Sequence, residues 1–314
     1  MAVETRRDPG SGSDLWSGNS GTRNFKERAV SVVLRACAYL SILTTFGIVF
    51  ILFEEAAGFF REVSIVEFLT STEWTAGFGG DAEYGIIVLV WATLYSTIIA
   101  CAVALPIGLG AAIYLSEYAS TGLRRWLKPA LEVLAGVPTI VYGFFALTFV
   151  TPLLQSTIFP SIGIFNILAA GLVMGVMIIP TVASVSEDAL YAVPGSLREG
   201  AYALGATKRE TATKVVVPAA VSGIVASFVL GISRAVGETM IVAVAGGLTA
   251  QLTANPLQPM QTMTAYIVQV TGGETARGTI DYQTIFVVGS TLFLMTLALN
   301  IVAFAFVRRV REAY

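Results

Sequence analysis

Two charged residues stand inside an apolar run in the last third of the chain, within Ser-Arg-Ala-Val-Gly-Glu-Thr-Met at residues 233–240. Arg234 and Glu238 are four apart, so one continuous helix would carry them on one face, close enough to pair. Gly223, Ser227 and Gly231 repeat that spacing, and at 100° per residue all five positions fall within an arc of about 80°. Stripes of small residues mark helix contacts, and charges inside apolar spans face a bundle interior or a polar cavity. Two uses are open. The pair is either a structural ion pair that fixes packing, or a guanidinium that offers several donors to a passing oxyanion, held and compensated by Glu238. Glu132, near the start of the apolar run at 129–147, is a further charged candidate, although an acid there also suits a helix N-terminus. Thr139 and Tyr142 in the same run offer hydroxyls either to a polar path or to neighbouring backbone groups.

A second constellation lies in the charged interruption at residues 194–218, which carries Arg198, Lys208, Arg209 and Lys214 together with Glu199 and Glu210. Lipid cannot satisfy such charges, so the segment sits in water or against another protein. Ser196 and Glu199 have the spacing of a capping box that would start a helix. Gly200, Ala201, Gly205 and Ala206 then give that helix a face of little bulk, which another surface can approach closely.

The elements that must position these residues follow from hydropathy. The chain of 314 residues is 55% apolar and 13% charged, with a mean hydropathy of +0.75. Soluble domains are less apolar and more charged. Runs near 30–53, 85–115, 129–147, 164–185, 219–246 and 284–307 are each long enough to cross a bilayer, so an all-α polytopic membrane protein with six spans is expected. Residues 1–28 read as a disordered tail and 29–314 as the membrane domain, and a short amphipathic helix is expected around 64–70. Sixteen of the nineteen Lys and Arg residues fall on one side of this arrangement and two on the other, which places both termini and segment 194–218 in the cytoplasm. The first run exceeds the length of a signal-peptide core and reads as an uncleaved span. With no His in the chain, imidazole catalysis and His-ligated metal sites are excluded, and no metal site is expected. Cys37 and Cys101 lie in apolar runs and read as small core residues. The net charge of −2 gives no sign of a nucleic-acid partner.

Glu199-Gly-Ala-x-x-x-Gly205, followed after nine residues by Val215-x-Val217-Pro218, resembles the EAA loop of ABC importer permeases. Their usual form is E-A-A-x-x-x-G, nine residues, then I-x-L-P. The departures are Gly200, Val215 and Val217, and Gly200 costs about 1 kcal/mol of helix propensity. Leu134 to Phe145 (LAGVPTIVYGFF), the stretch 193–218 and Ser233 to Met240 (SRAVGETM) are similar to the permeases of phosphate-specific importers. Phe68 to Trp74 (FLTSTEW) and the loop TGGETARGT look more like the PstC than the PstA member.

The resemblance implies the type I permease fold in the inner membrane. It implies an ATPase-coupling surface at Glu199, Gly200, Ala201, Gly205, Ala206 and Pro218, and a substrate path through Arg234 and Glu238, with Glu132, Thr139 and Tyr142 as further lining candidates. The implied partners are a homologous second permease (PstA-like), two copies of an ATP-binding subunit (PstB-like) and an extracytoplasmic phosphate-binding protein (PstS-like), with phosphate as cargo and lipid as solvent. The chain holds no Gly-x-x-x-x-Gly-Lys-Ser/Thr. ATP would therefore be hydrolysed by the partner, with no cofactor bound by this chain and no enzymatic activity of its own. Sulfate or molybdate as cargo, an ATP-independent anion transporter or channel, and a scaffold without transport are the alternatives. Since Pro218 leads into the span carrying Arg234 and Glu238, a push on the docking segment is expected to reach the charges along the chain itself.

Overall fold

A computed structural model describes residues 20–76, 82–273, 276 and 278–310. The chain forms two units, 1–52 and 53–314, and the division between them falls inside the first apolar helix. That helix, α1 (Ser20–Phe59), already includes residues 20–28 of the expected tail; residues 1–19 lie outside the described set. Between Val30 and Ile51 nearly all of its large apolar side chains are exposed, as suits a helix whose solvent is lipid. Its apolar part, Glu27–Phe59, is about 50 Å long at 1.5 Å per residue, more than the hydrocarbon core of a bilayer.

The second unit begins with α2 (Ile65–Thr70), started where expected by the Ser64 side chain accepting from Val66 N. Around it Phe59, Phe68, Trp74, Tyr84 and Tyr266 meet edge to face, and the resulting apolar cap also takes in Val287 and Val288. The chain then enters α3 (Ile87–Ile113), which runs on as a π turn at Tyr114–Tyr118.

The third span differs from expectation. Ser120 caps an amphipathic helix, α4 (Thr121–Gly136), which holds Arg124, Arg125, Lys128 and Glu132 and has no buried residue. Val137 is extended because the ring of Pro138 disfavours helix at the residue before it. The crossing helix follows that break: α5 (Thr139–Phe145), a π turn at Ala146–Val150 and α6 (Thr151–Thr157) form one apolar candidate span, Thr139–Thr157. The run at 129–147 is therefore the end of one helix and the start of another.

The centre of the unit is α7 (Ile167–Tyr191), capped by Asn166, whose side chain accepts from Ala169 N. Glycines set its contact with α3. A Cβ on Gly175 would lie 2.8 Å from Ala100 O, and one on Gly108 would lie 2.8 Å from Val182. Neither glycine has room for a side chain, so the two helices approach backbone to backbone. Methionines 174 and 177 and Ile178 fill the buried core beside them.

Segment 194–218 folds as α8 (Gly195–Ala203), α9 (Lys208–Thr211), a π turn at Ala212–Val216 and α10 (Val217–Ala219). The capping box expected at Ser196 and Glu199 is not formed. Pro194 is the N-cap of α8, with no side-chain cap, because Pro194 pre-sets the backbone two residues earlier. The box that does form joins Thr207 and Glu210 at the start of α9. Residues 208–219 then meet α11 (Val221–Val236) at a 71° bend. The stripe of small residues on α11 packs against α7 of the same chain: Gly223 faces Ala189, Gly231 faces Val182, and the Ser227 and Ser186 hydroxyls are 2.6 Å apart.

The fifth span is broken. Helix α11 ends at Gly237, its C-cap; a new turn starts at Met240 and closes as a π turn at Val242–Gly246. A loop leads to α12 (Met263–Gly272), which hydropathy does not single out, and then to α13 (Ile280–Val310). Within the loop TGGETARGT, residues 274, 275 and 277 lie outside the described set. Among the described residues, five helices are long and apolar enough to cross a membrane, and six when the bent pair 208–236 is taken as one span.

Candidate functional site

The break at Gly237 separates the two charges that the spacing pairs. Arg234, in the last turn of α11, donates from Nη1 to Thr181 Oγ1 at 2.8 Å and from Nη2 to Met177 Sδ at 3.1 Å. Among the described residues no carboxylate lies within ion-pair distance of it. Glu238 is buried, and its Oε1 accepts from Met240 N at 3.1 Å and Ile241 N at 3.3 Å. It caps the turn after the break, satisfying amides that a new helical start leaves open. The break is held from outside as well: Thr264 Oγ1, at the start of α12, donates to Glu238 O at 2.7 Å. The expected i,i+4 ion pair is thus replaced by a carboxylate turned to backbone and a guanidinium held by a hydroxyl and a thioether. A half-buried cation in this setting is costly, and an anion that reaches it relieves that cost.

The other path candidates lie around the same helix α7 to different degrees. Tyr142 donates from its hydroxyl to Leu134 O at 2.8 Å, bridging the Pro138 break. Glu132 is exposed on α4 and lines a cavity of about 220 Å³ together with Lys128, Thr181, Ser184 and Glu187. Thr181 therefore has Arg234 as its partner and also forms part of the wall of this cavity. Thr139 is half-buried at the first turn of α5.

In segment 194–218, Gly200, Ala201, Gly205 and Ala206 line an open cleft of about 640 Å³ with Leu197, Leu204 and Val215. Glu199 and Pro218 are exposed but lie outside the cleft lining. Leu204 is 90% exposed, an unusual state for leucine on a charged, water-facing segment. Gly205 has φ +84°, a conformation that glycine reaches without strain. The Thr207 amide and hydroxyl hold the Glu210 carboxyl below its ordinary pKa, since both bonds favour the ionised form.

Two charge clusters form through pairings that no spacing in the sequence announces. Glu187 on α7 is fully buried and is held by Arg124 and by Lys128, whose Nζ is 2.9 Å from Oε2 but off the line of a hydrogen bond. The Glu187 carboxylate beside it holds the Lys128 ammonium above its ordinary pKa. Arg198 on α8 reaches Glu117 in the π turn after α3, with Nη2 to Oε1 at 2.9 Å, and it also donates to Val193 O and Leu190 O. An acid in the last turn of an apolar helix is the visible signal for Glu187. Its partners are about sixty residues away and have no periodic relation to it.

Residues 104–312 match the family of the binding-protein-dependent transport system inner membrane component. The chain belongs to this family. Relatives extend the likeness beyond the matched residues. A probable ABC transporter permease protein, YqgH of Bacillus subtilis (strain 168), is 36% identical over 277 residues, covering 87% of this chain and 88% of the relative. The phosphate transport system permease protein PstC of Xylella fastidiosa (strain 9a5c) is 34% identical over 258 residues, 76% of this chain and 77% of that one. Among solved structures, a chain of a bacterial alginate ABC transporter in complex with alginate pentasaccharide-bound periplasmic protein superposes with a TM-score of 0.62 at 14% identity, covering 93% of this chain and 99% of that chain. The fold is therefore that of a multi-pass ABC importer permease in the inner membrane. The family match includes segment 194–218, Arg234 and Glu238.

Proposed function

We propose that this chain is the PstC-like permease subunit of an ATP-driven phosphate importer, in which it forms part of the translocation path. The observation that carries the reading is Arg234, a guanidinium inside the broken fifth span with neutral partners in Thr181 and Met177. Such a group supplies charge and several directed donors to a tetrahedral oxyanion. Relatives named as phosphate transport permeases support phosphate as that oxyanion. Glu238 keeps the turn beyond Arg234 closed by capping it, and the Tyr142 hydroxyl and the cavity beside Glu132 extend polar groups toward the cytoplasm. The cleft at Gly200, Ala201, Gly205 and Ala206 receives the ATPase. This subunit binds no cofactor and catalyses no reaction itself; ATP is bound and hydrolysed by two copies of the partner ATPase. A homologous second permease completes the path, and a phosphate-binding protein delivers substrate from outside.

Labelled phosphate uptake by the complex reconstituted in vesicles, competed in turn with arsenate, sulfate and molybdate, tests the cargo. Arsenate should compete and the other two should not; uptake blocked by sulfate or molybdate, or proceeding without ATP, would overturn the reading. Gly205→Leu tests the docking cleft. It should abolish co-purification with the ATPase while membrane insertion continues, because a side chain there meets an unfavourable backbone and projects into the cleft.

A further inference from the structure

The residue that connects segment 194–218 to the buried charge is Arg198, and the route runs through α7. All three guanidinium nitrogens of Arg198 reach beyond α8. Its Nη1 donates to Val193 O at 2.7 Å and its Nη2 to Leu190 O at 2.9 Å, while Nη2 and Nε approach the Glu117 carboxylate at 2.9 and 3.5 Å. Leu190 belongs to the last turn of α7, and its carbonyl accepts from Val193 N at 3.3 Å as well as from Arg198. Glu117 is nearly buried, with its side chain 5% exposed, in the π turn that continues α3. One guanidinium therefore ties α8 to the cytoplasmic ends of α3 and α7 together. Those two helices are already locked by glycine contacts at 108 and 175.

Helix α7 is continuous from Leu190 to Thr181 and goes on past Pro180, which removes one backbone bond of the ladder, to Met177; Thr181 and Met177 are the two residues that hold Arg234. The route along the chain through Pro218 is poorer. It passes through the π turn at Ala212–Val216 and the 71° bend before α11, so an axial shift of residues 208–219 projects only about a third of itself along α11 (cos 71° ≈ 0.33).

We propose that Arg198 is a positioning residue that makes α8, α7 and α3 one rigid lever, through which the docked ATPase moves Thr181 and Met177 and hence sets the position of Arg234. This rests on the reading of segment 194–218 as the ATPase-docking surface.

The test uses the complete reconstituted complex with Cys37 and Cys101 replaced by Ser, and spin labels at Ala203→Cys on α8 and Val176→Cys on α7. Both positions are exposed, and neither lines the cleft. The distance between the labels should be the same without nucleotide and with ATP trapped. In Arg198→Ala it should shift or broaden on adding ATP, and phosphate moved per ATP hydrolysed should fall about tenfold, in the range of ordinary coupling energies between sites. Arg198→Lys, which keeps the charge near Glu117 but not the fork of donors, should fall between the two. A distance that changes with ATP while Arg198 is intact overturns the lever. So does an Arg198→Ala complex with unchanged phosphate per ATP, or one in which uptake and hydrolysis drop in equal proportion. Should Arg198→Ala not assemble, the label distance with Arg198 intact and the Arg198→Lys ratio still decide. A complex that cycles ATP with a rigid α7–α8 distance but carries no phosphate would refute the cargo and leave the lever standing.

Discussion

Replacing Arg234 by Gln separates a transport role from a structural one, because the two roles predict opposite pairs of results. Thr181 and Met177 engage two of the five guanidinium donors. An oxyanion that accepts two more gains about 3–6 kcal/mol, at about 1.5–3 kcal/mol per charge-assisted bond. Without that interaction at the point of passage, uptake falls by about 10²–10⁴-fold, at about 1.4 kcal/mol per tenfold. The cost to the fold is small. The shorter Gln leaves the Thr181 hydroxyl free to bond back to its own helix, Met177 is left with a neutral sulfur that needs no donor, and a half-buried cation is removed from an apolar setting. Stability should change by no more than about 1 kcal/mol. A structural ion pair behaves in the other way, since breaking one in a buried site costs about 3–5 kcal/mol. Initial rates of labelled phosphate uptake, measured beside the thermal unfolding of the purified complex, give both quantities. Arg234→Gln with near-normal uptake, or with a large drop in thermal stability, would refute the reasoning. Arg234→Lys, which keeps a point charge but not the fork, should lose about tenfold.

Three further outcomes are expected. Glu187→Ala should destabilise by about 1–3 kcal/mol, below the full cost of breaking a buried pair, because Arg124 and Lys128 are about a third exposed and can turn to water; thermal unfolding reads it. Gly175→Leu should cost about 1–3 kcal/mol or more by overpacking, since even its Cβ would stand 2.8 Å from Ala100 O, and the same melting curve checks it. Thr207→Ala removes the capping box and should cost about 1 kcal/mol, seen as faster amide exchange over residues 208–213. The Glu210 carboxyl is held below its ordinary pKa chiefly by the Thr207 amide. The stability it adds is therefore present above the unfolded-state pKa and is lost as pH falls through the lower folded-state value. Exchange at that helix should rise in acid, and Thr207→Ala should lessen the rise without removing it, because the amide of residue 207 that chiefly holds the carboxyl is kept.

Hydropathy and motif spacing reveal what local composition decides. Runs of apolar residues locate the crossing helices, Ser64 locates α2, and the EAA-like spacing locates the segment that holds the cleft. Expectation and structure part where tertiary contacts or a single residue override the local pattern. The 129–147 run reads as one span because its apolar residues continue through Val137-Pro138, while the backbone does not. The spacing of Arg234 and Glu238 predicts a pair only on an unbroken helix. Gly237 ends α11 between them, and Thr264, twenty-six residues beyond Glu238, holds the break. The stripe at Gly223, Ser227 and Gly231 correctly announces a close contact, but only the fold shows that it faces Ala189, Ser186 and Val182. Long-range pairs such as Arg198 with Glu117 leave no trace in spacing at all.

The four π turns among the described residues have a consequence for how this chain tolerates insertions and deletions. Each holds one residue more than an α turn, as in the bond from Ala119 N to Tyr114 O. Deleting one residue within Tyr114–Tyr118 or Ala146–Val150 would let that turn close as ordinary α-helix while the flanking faces keep their directions. The same deletion in the middle of Ile167–Tyr191 would swing everything beyond it by about 100°, turning Val182 and Ser186 away from the glycines and serine they meet. Relatives that differ by single residues inside the membrane should therefore differ at the π turns, and α7 should keep its length.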